Sequence, residues 1–401
     1  MLLLIIAGEN SCLELSIIIV NYQVPLFLEQ CLITVRRAIE ALKAEIIVVD
    51  NASADNSIEA LSHLFPDVHF IPATENLGFA RANNLGLSHA KGDYILFLNP
   101  DTLVPENTLL HCVQFLGQHN ECGAVGVKMI NGFGHYLPES KRAKPSLLNS
   151  FFKLTGIASL FPRSGIYNRY ALGHLSVNEQ HQVDVLAGAF MMVRKNILDQ
   201  LAGFDPRFFM YGEDVDLSVR IQQLGHTIFY LGTVSIVHYK GQSSRNRTQK
   251  QNHIFFKAMR LFVNKHYRAG WLLAIFIFMV EWMAALRKLF FPPLSVLPML
   301  NTVGTAFILG DEESCQQVMD ILYKREQTSI VKGSIGIHAT GERQTGQLSA
   351  LSILCRQQQV KQLIICIPDL TVQEATQIME RLKGLFFRFV FSGSGSLPFN
   401  N

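Results

Sequence analysis

The chain lacks any cysteine pair at metal-binding or redox spacing. Its seven cysteines, Cys12, Cys31, Cys112, Cys122, Cys315, Cys355 and Cys366, are scattered, and none stands in C-x-x-C spacing. That excludes a zinc site of that pattern and a disulfide framework, and it fits a reducing, cytoplasmic setting. Excess charge of one sign is also missing: 35 Lys and Arg against 32 Asp and Glu leave a net charge of +3. With no helix-turn-helix or RNA-binding signature beside it, nucleic acid is excluded as a partner. The first glycine turn lacks the G-x-G-x-x-G pattern, so NAD is not indicated. The apolar start, Met1 to Ala7, has no positive charge before it, so a secretory signal is not expected. An extra strand and a start-site extension both remain open for it.

What is present is hydrophobicity. At 401 residues, the length prior of roughly 150 residues per domain gives two or three domains. The 49% hydrophobic fraction and mean hydropathy of +0.20 point to membrane contact. One stretch organises the rest: Tyr94-Ile95-Leu96-Phe97-Leu98-Asn99-Pro100-Asp101-Thr102. Its apolar run predicts a strand buried on both faces of a parallel sheet. Pro100 ends the strand and leaves Asp101 at its carboxyl end, the edge where open α/β sheets bind ligands. An oxygen ligand there suits a hard divalent cation carried by a phosphate substrate; the alternative is an aspartate that makes a turn.

Around this stretch, strands and helices alternate. Leu15–Val20 and Glu45–Val49 predict strands, with an amphipathic helix between them carrying Leu28, Cys31, Leu32, Val35, Ile39 and Leu42. Val68–Ile71 predicts a third strand, and the turn at Gly78 opens a helix to about Ala90. Such alternation gives βαβ units, whose right-handed crossovers put Asp50 and Asp101 on one rim. Gly123–Met129 predicts another strand, and residues 131–182 look irregular. Within them, Lys141-Arg142-Ala143-Lys144 reads as a solvated loop, with phosphate or membrane headgroups as the alternative contact. The small residues Ala187-Gly188-Ala189 let a ligand approach the backbone or let the core pack tightly. From Asp214, apolar positions Leu217, Ile221 and Leu224 recur at helical spacing, which puts Asp214 on the inward face of a first turn, with Asp216 and Arg220 paired beside it. A first-turn carboxylate is either a helix cap or an ionised group able to act as a general base. Thr227–Tyr230 and Val234–Val237 are strand-like and end at His238.

The residues Ile17 to Tyr22, Val48 to Ser53, Glu75 to Phe79, Asn99 to Thr102, Gly188 to Phe190, Gly212 to Asp214 and Val237-His238, in that order, resemble family 2 glycosyltransferases of the GT-A fold. Within that family the chain is most similar to the rhamnosyltransferase-like branch of bacterial cell-surface polysaccharide assembly, over about residues 14–268. The resemblance implies a mixed sheet flanked by helices and an inverting transfer of one sugar from a nucleotide-diphosphate donor to a lipid-linked or other saccharide acceptor. It implies donor contacts from Asn21, Asp50, Asn76, Gly78, Arg81, Asn99 and Asp101, with Asp50 on the base. Asp101 and His238 would hold Mg2+ or Mn2+, Asp214 would be the catalytic base, and Gly188, Ala189 and Glu213 would line the sugar or acceptor pocket. One departure stands out: the first aspartate of the D-x-D pattern is Asn99, whose amide can bond a ribose hydroxyl but adds no charge. Neither Trp271 nor Trp282 follows an arginine. The Q-x-x-R-W motif of processive synthases is therefore missing, and single additions are expected. The competing class is a non-catalytic sugar-nucleotide sensor or assembly scaffold, which would have no need of a base.

Beyond this part, 269–303 predicts an apolar membrane-associated or linker segment. Trp271–Val280 is unbroken and apolar and continues through Glu281 to Leu286, short of the roughly 20 residues that span a bilayer. With tryptophans and flanking basic residues, it predicts a helix at the bilayer surface, or else a buried interdomain helix. The expected location is the cytoplasmic face of a bacterial cell membrane, peripheral or anchored through about 271–300. Residues 304–401 return to βα alternation, with strands at Ala306–Leu309, Ile330–Ile337, Gln362–Ile367 and Phe387–Phe391. They resemble the Rossmann-like domain beside polyprenyl-phosphate sugar-1-phosphate transferases and predict a regulatory or docking role.

Overall fold

The computed structural model describes residues 13–55, 57–146, 161, 164–166, 169–239, 249–267, 305–324, 331–337, 346–347, 350–367 and 369–391. The β-branched runs form strands β1 (Leu15–Asn21) and β2 (Ala44–Asp50), with helix α1 (Pro25–Ala38) crossing between them. Helix α2 (Ser57–Leu64), strand β3 (His69–Pro72), helix α3 (Gly78–Leu87) and strand β4 (Tyr94–Leu98) follow. Then come β5 (Thr102–Leu103), α4 (Thr108–Gln118), β6 (Cys122–Ile130), β7 (Gln180–Gln182), β8 (Phe190–Arg194), α5 (Lys195–Leu201), α6 (Glu213–Gln223), β9 (Thr227–His238) and α7 (Gln249–His266). The strands assemble in the order β3-β2-β1-β4-β8-β6-β9-β5, with β7 on β9.

Strand direction decides where side chains end up. β1, β2, β3 and β4 run parallel, β8 runs antiparallel to both β4 and β6, and β9 runs parallel to β6. The carboxyl ends of β1, β2, β4 and β9 therefore share an edge with the amino end of β8. Ile17 and Ile19 belong to one apolar layer and Ile18 to the other, each covered by helices, as the unbroken apolar runs require.

A second sheet is wholly parallel in its pairings. Strands β10 (Ala306–Leu309), β11 (Val331–Gly336), β12 (Gly346–Gln347), β13 (Gln362–Ile367) and β14 (Phe386–Phe391) stand in the order β12-β11-β10-β13-β14. Helices α8 (Glu312–Lys324), α9 (Leu351–Gln357) and α10 (Val372–Arg381) connect them. Leu103, Ile130, Val237 and Tyr239 of the first part share one apolar core with Phe307, Leu363 and Phe387 of this second unit.

Three expectations change. The two apolar runs at 227–230 and 234–237 form a single strand, β9, whose register with β6 shifts between Val127 and Lys128. Leu224, placed inward by helical spacing, is 42% exposed. The fully inward carboxylate of α6 is Asp216, at 0% exposure, rather than Asp214. Among the described residues no helix is long and apolar enough to cross a membrane. The segment 269–303 and Met1 to Ala7 lie outside the described residues.

Asp216 is matched by side chains from two helices. Arg220 Nε donates to its Oδ2 at 2.7 Å, Lys265 Nζ lies 2.8 Å from Oδ1, and His266 Nε2 lies 2.7 Å from Oδ1. This network fastens the end of α7 to α6. Asp216→Ala would leave the partly buried Arg220 without its carboxylate, while Lys265 keeps Asp205 at 2.6 Å, and is expected to cost about 3 kcal/mol of unfolding free energy in a urea titration.

Candidate active site

The shared edge collects the sequence-predicted residues in three groups. In the first, Asn21 at the end of β1 is in register with Asp50 at the end of β2. Asn21 Nδ2 donates to Asp50 Oδ1 at 2.9 Å, and the Ser53 backbone N–H donates to Asp50 Oδ2 at 3.0 Å. Asn51 joins this pair to the next loop: its Nδ2 donates to Asn76 Oδ1 at 3.1 Å, and its Oδ1 accepts from Leu77 N at 2.7 Å. Asn76 Oδ1 also accepts from Gly78 N at 3.0 Å. Gly78 has φ +75°, and a Cβ there would stand 2.4 Å from the Phe209 carbonyl oxygen. Only glycine allows both that turn and that approach. Arg81 is the outlier of the group: it faces outward, 3.9 Å from Glu75.

The second group follows β4. Asn99 N donates to the Ala189 carbonyl at 3.0 Å, which ties the end of β4 to the segment before β8. Thr102 pairs with His238 across β5 and β9, and Tyr239 N donates to the Asp101 carbonyl at 2.9 Å. This brings His238 Nε2 to 3.3 Å from Asp101 Oδ1 and 3.4 Å from Asn99 Nδ2. Both Asp101 and His238 are buried. Among the described residues no group of three or more His, Cys, Asp or Glu converges as a metal cage. A carboxylate with one imidazole fits a divalent cation that takes its remaining ligands from a bound phosphate and water, as magnesium sites commonly do.

The third group lies at the start of α6. Gly212, with φ +83°, turns the chain into the helix. Asp214 accepts from Val215 N at 2.8 Å, from Gly188 N at 3.2 Å and from Arg142 Nη2 at 2.6 Å. A Cβ on Gly188 would lie 3.4 Å from Asp214 Cβ and 3.5 Å from the Phe79 ring, so this backbone lines the space beside the carboxylate. Ala189 is buried next to it. Glu213 is buried, with Oε2 lacking a partner. Burial first, and then the Asp214 charge, push its carboxyl up to about 8.

Arg142 is the functional neighbour that sequence reasoning missed. The basic segment 141–144 is not a solvated loop at its first two residues. Lys141 is 1% exposed and donates to the Leu172 and Leu175 carbonyls at 2.6 and 3.1 Å. Burial draws its ammonium down to about 8. Arg142 bonds the Leu186 carbonyl as well as Asp214, from a position 72 residues earlier in the chain. No local pattern could announce that partnership. Ser53 is likewise part of the Asp50 cluster.

Residues 16–201 match the family described as Glycosyl transferase family 2. The N-acetylglucosaminyl-diphospho-decaprenol L-rhamnosyltransferase of Mycobacterium tuberculosis (strain ATCC 25618 / H37Rv) is 25% identical over 268 residues, covering 64% of this chain and 86% of the relative. Rhamnosyltransferase WbbL of Escherichia coli (strain K12) is 27% identical over 198 residues, 48% of this chain and 69% of the relative. Among solved structures, the mannosyltransferase PcManGT from Pyrobaculum calidifontis, in complex with GDP-Man and Mn2+, aligns at a TM-score of 0.46 and 15% identity, over 80% of this chain and 84% of that one.

The raised Glu213 carboxyl gives a test of the site's electrostatics. As pH rises past the ordinary value of 4.5, the unfolded chain ionises while the folded chain keeps this proton to about 8. Stability contributed by the neutral form is therefore complete below that window and lost across it. Glu213→Gln is expected to gain unfolding free energy relative to the parent at about pH 8 but not at about pH 4, as read by urea titration at each pH.

Proposed function

The chain carries a family 2 glycosyltransferase domain over residues 16–201, and from that premise we propose that it catalyses inverting transfer of a single sugar from a nucleotide-diphosphate donor to a lipid-linked saccharide. The observation that carries this reading is the convergence on one sheet edge of the Asp50 cluster, the Asp101–His238 pair and Asp214. The rhamnosyltransferase relative named for a diphospho-decaprenol acceptor supports a lipid-linked acceptor here. We propose the cytoplasmic membrane face as its location, a setting the apolar sequence at 271–300 suits.

In this reading, Asp50 contacts the donor's base, held in position by Asn21 and the Ser53 N–H. Asn99 meets a ribose hydroxyl. Asp101 and His238 would hold Mg2+ or Mn2+. The chemistry such an ion supplies is compensation of the charge that builds on the leaving diphosphate. Gly188 and Ala189 leave room for the sugar and the incoming hydroxyl beside Asp214. Asp214 takes the proton of that hydroxyl as its oxygen attacks the anomeric carbon, while the bond to the diphosphate breaks on the opposite face. One displacement inverts the configuration. Arg142 and the Gly188 N–H fix the direction of the carboxylate through the step. Glu213, neutral below about pH 8 because it is buried, adds no second negative charge next to the base.

Asp214→Asn is expected to abolish transfer while donor binding persists, measured with a donor panel and a lipid-linked acceptor. Full transfer by that variant would refute the assigned base, and donor binding without transfer by the unmodified protein across the panel would favour a sensor. Asp101→Ala is expected to weaken donor binding in Mn2+ by about tenfold or more, read by calorimetry, since a charge-assisted contact is lost.

A further inference from the structure

The loop that carries Asn99 and Asp101 is anchored at its far end by the second α/β unit. Glu106 Oε1 accepts from the backbone N–H of Val372 at 2.9 Å, and its Oε2 accepts from Gln373 N at 3.1 Å. These are the first two residues of α10. A carboxylate there satisfies two N–H groups that a helix leaves unpaired and opposes the positive end of its dipole. The helix already has its own cap, because Thr371 Oγ1 accepts from Glu374 N at 3.1 Å within a capping box. Glu106 is thus an additional cap, supplied from 266 residues away.

The segment between Asp101 and Glu106 is short and stiff. Thr102 and Leu103 pair with β9, Val104 N donates to Thr34 Oγ1 at 3.2 Å, and Pro105 has a fixed φ. Leu103 and Tyr239, the residue after His238, lie in the core shared with the second unit. At the other end of α10, Glu380 pairs with Lys128 of β6 at 2.7 Å.

We propose that the C-terminal α/β unit is a brace for the donor loop, with Glu106 as the positioning residue through which α10 sets the affinity of Asp101 and His238 for a divalent cation bound to a nucleoside diphosphate. The unit acts on the donor site without contributing a residue to it. This rests on the donor-site reading of Asp101 given above.

The test uses the full chain and Mn2+ titrations by calorimetry in the presence of UDP, GDP or dTDP, with thermal unfolding measured alongside. Glu106→Gln keeps the shape but removes the charge, and it is expected to raise the half-saturating Mn2+ concentration about fivefold, the loss of a helix cap expressed at the loop. Glu380→Gln, at the same interface, is expected to change the unfolding midpoint but leave the Mn2+ requirement within about twofold. An unchanged Mn2+ requirement in Glu106→Gln, or an equal shift in Glu380→Gln, overturns the brace. Asp101→Ala separates the two ideas. If it leaves Mn2+ binding intact, or if no nucleotide binds the parent chain, the donor-site reading itself fails and takes the brace with it.

Discussion

Strand β4 lies between β1, which runs with it, and β8, which runs against it, and the rest of the molecule's chemistry depends on that placement. Because β8 reverses direction, the segment entering it arrives at the edge where β4 leaves. The Asn99 N–H to Ala189 carbonyl bond is the point of contact. Because β9 then runs parallel to β6, His238 is delivered to the same edge. Backbone hydrogen bonding in the sheet, rather than any attraction among the polar side chains, pays for their proximity. Four buried strands hold the side chains where isolated polar groups could not gather in water.

The start of α6 shows how environment separates carboxylates that are close in sequence. Glu213 is buried, and burial and the Asp214 charge outweigh the Arg142 charge and push its carboxyl up to about 8. Asp214 has Arg142 and two backbone N–H groups, and its side chain keeps 15% exposure. Asp216 is sealed against Arg220, Lys265 and His266 and serves to lock α7 onto α6.

Much of the first sheet was legible because its signals are local. Unbroken β-branched runs at β1 and β2 and the proline stop after β4 need no tertiary information. The helical spacing of α1 is equally local, and so are the apolar strands of the second sheet. The spacing argument failed where helix faces compete: Leu224 ends exposed and Asp216 ends inward, because α7 brings Lys265 and His266 to that side. Periodicity registers hydrophobicity, and a buried ion network has none.

The residue types at the sheet edge, the order of the motifs that resemble family 2 glycosyltransferases, and Asn99 in place of the first D-x-D aspartate are all readable from the chain alone. Chain neighbours carry those signals. Only the tertiary structure decided that Asp101 meets His238, that Arg142 binds Asp214, and that Glu106 caps a helix of the other α/β unit. Each joins residues between 72 and 266 positions apart, and a contact at that range is set by strand direction and packing, which no local pattern encodes.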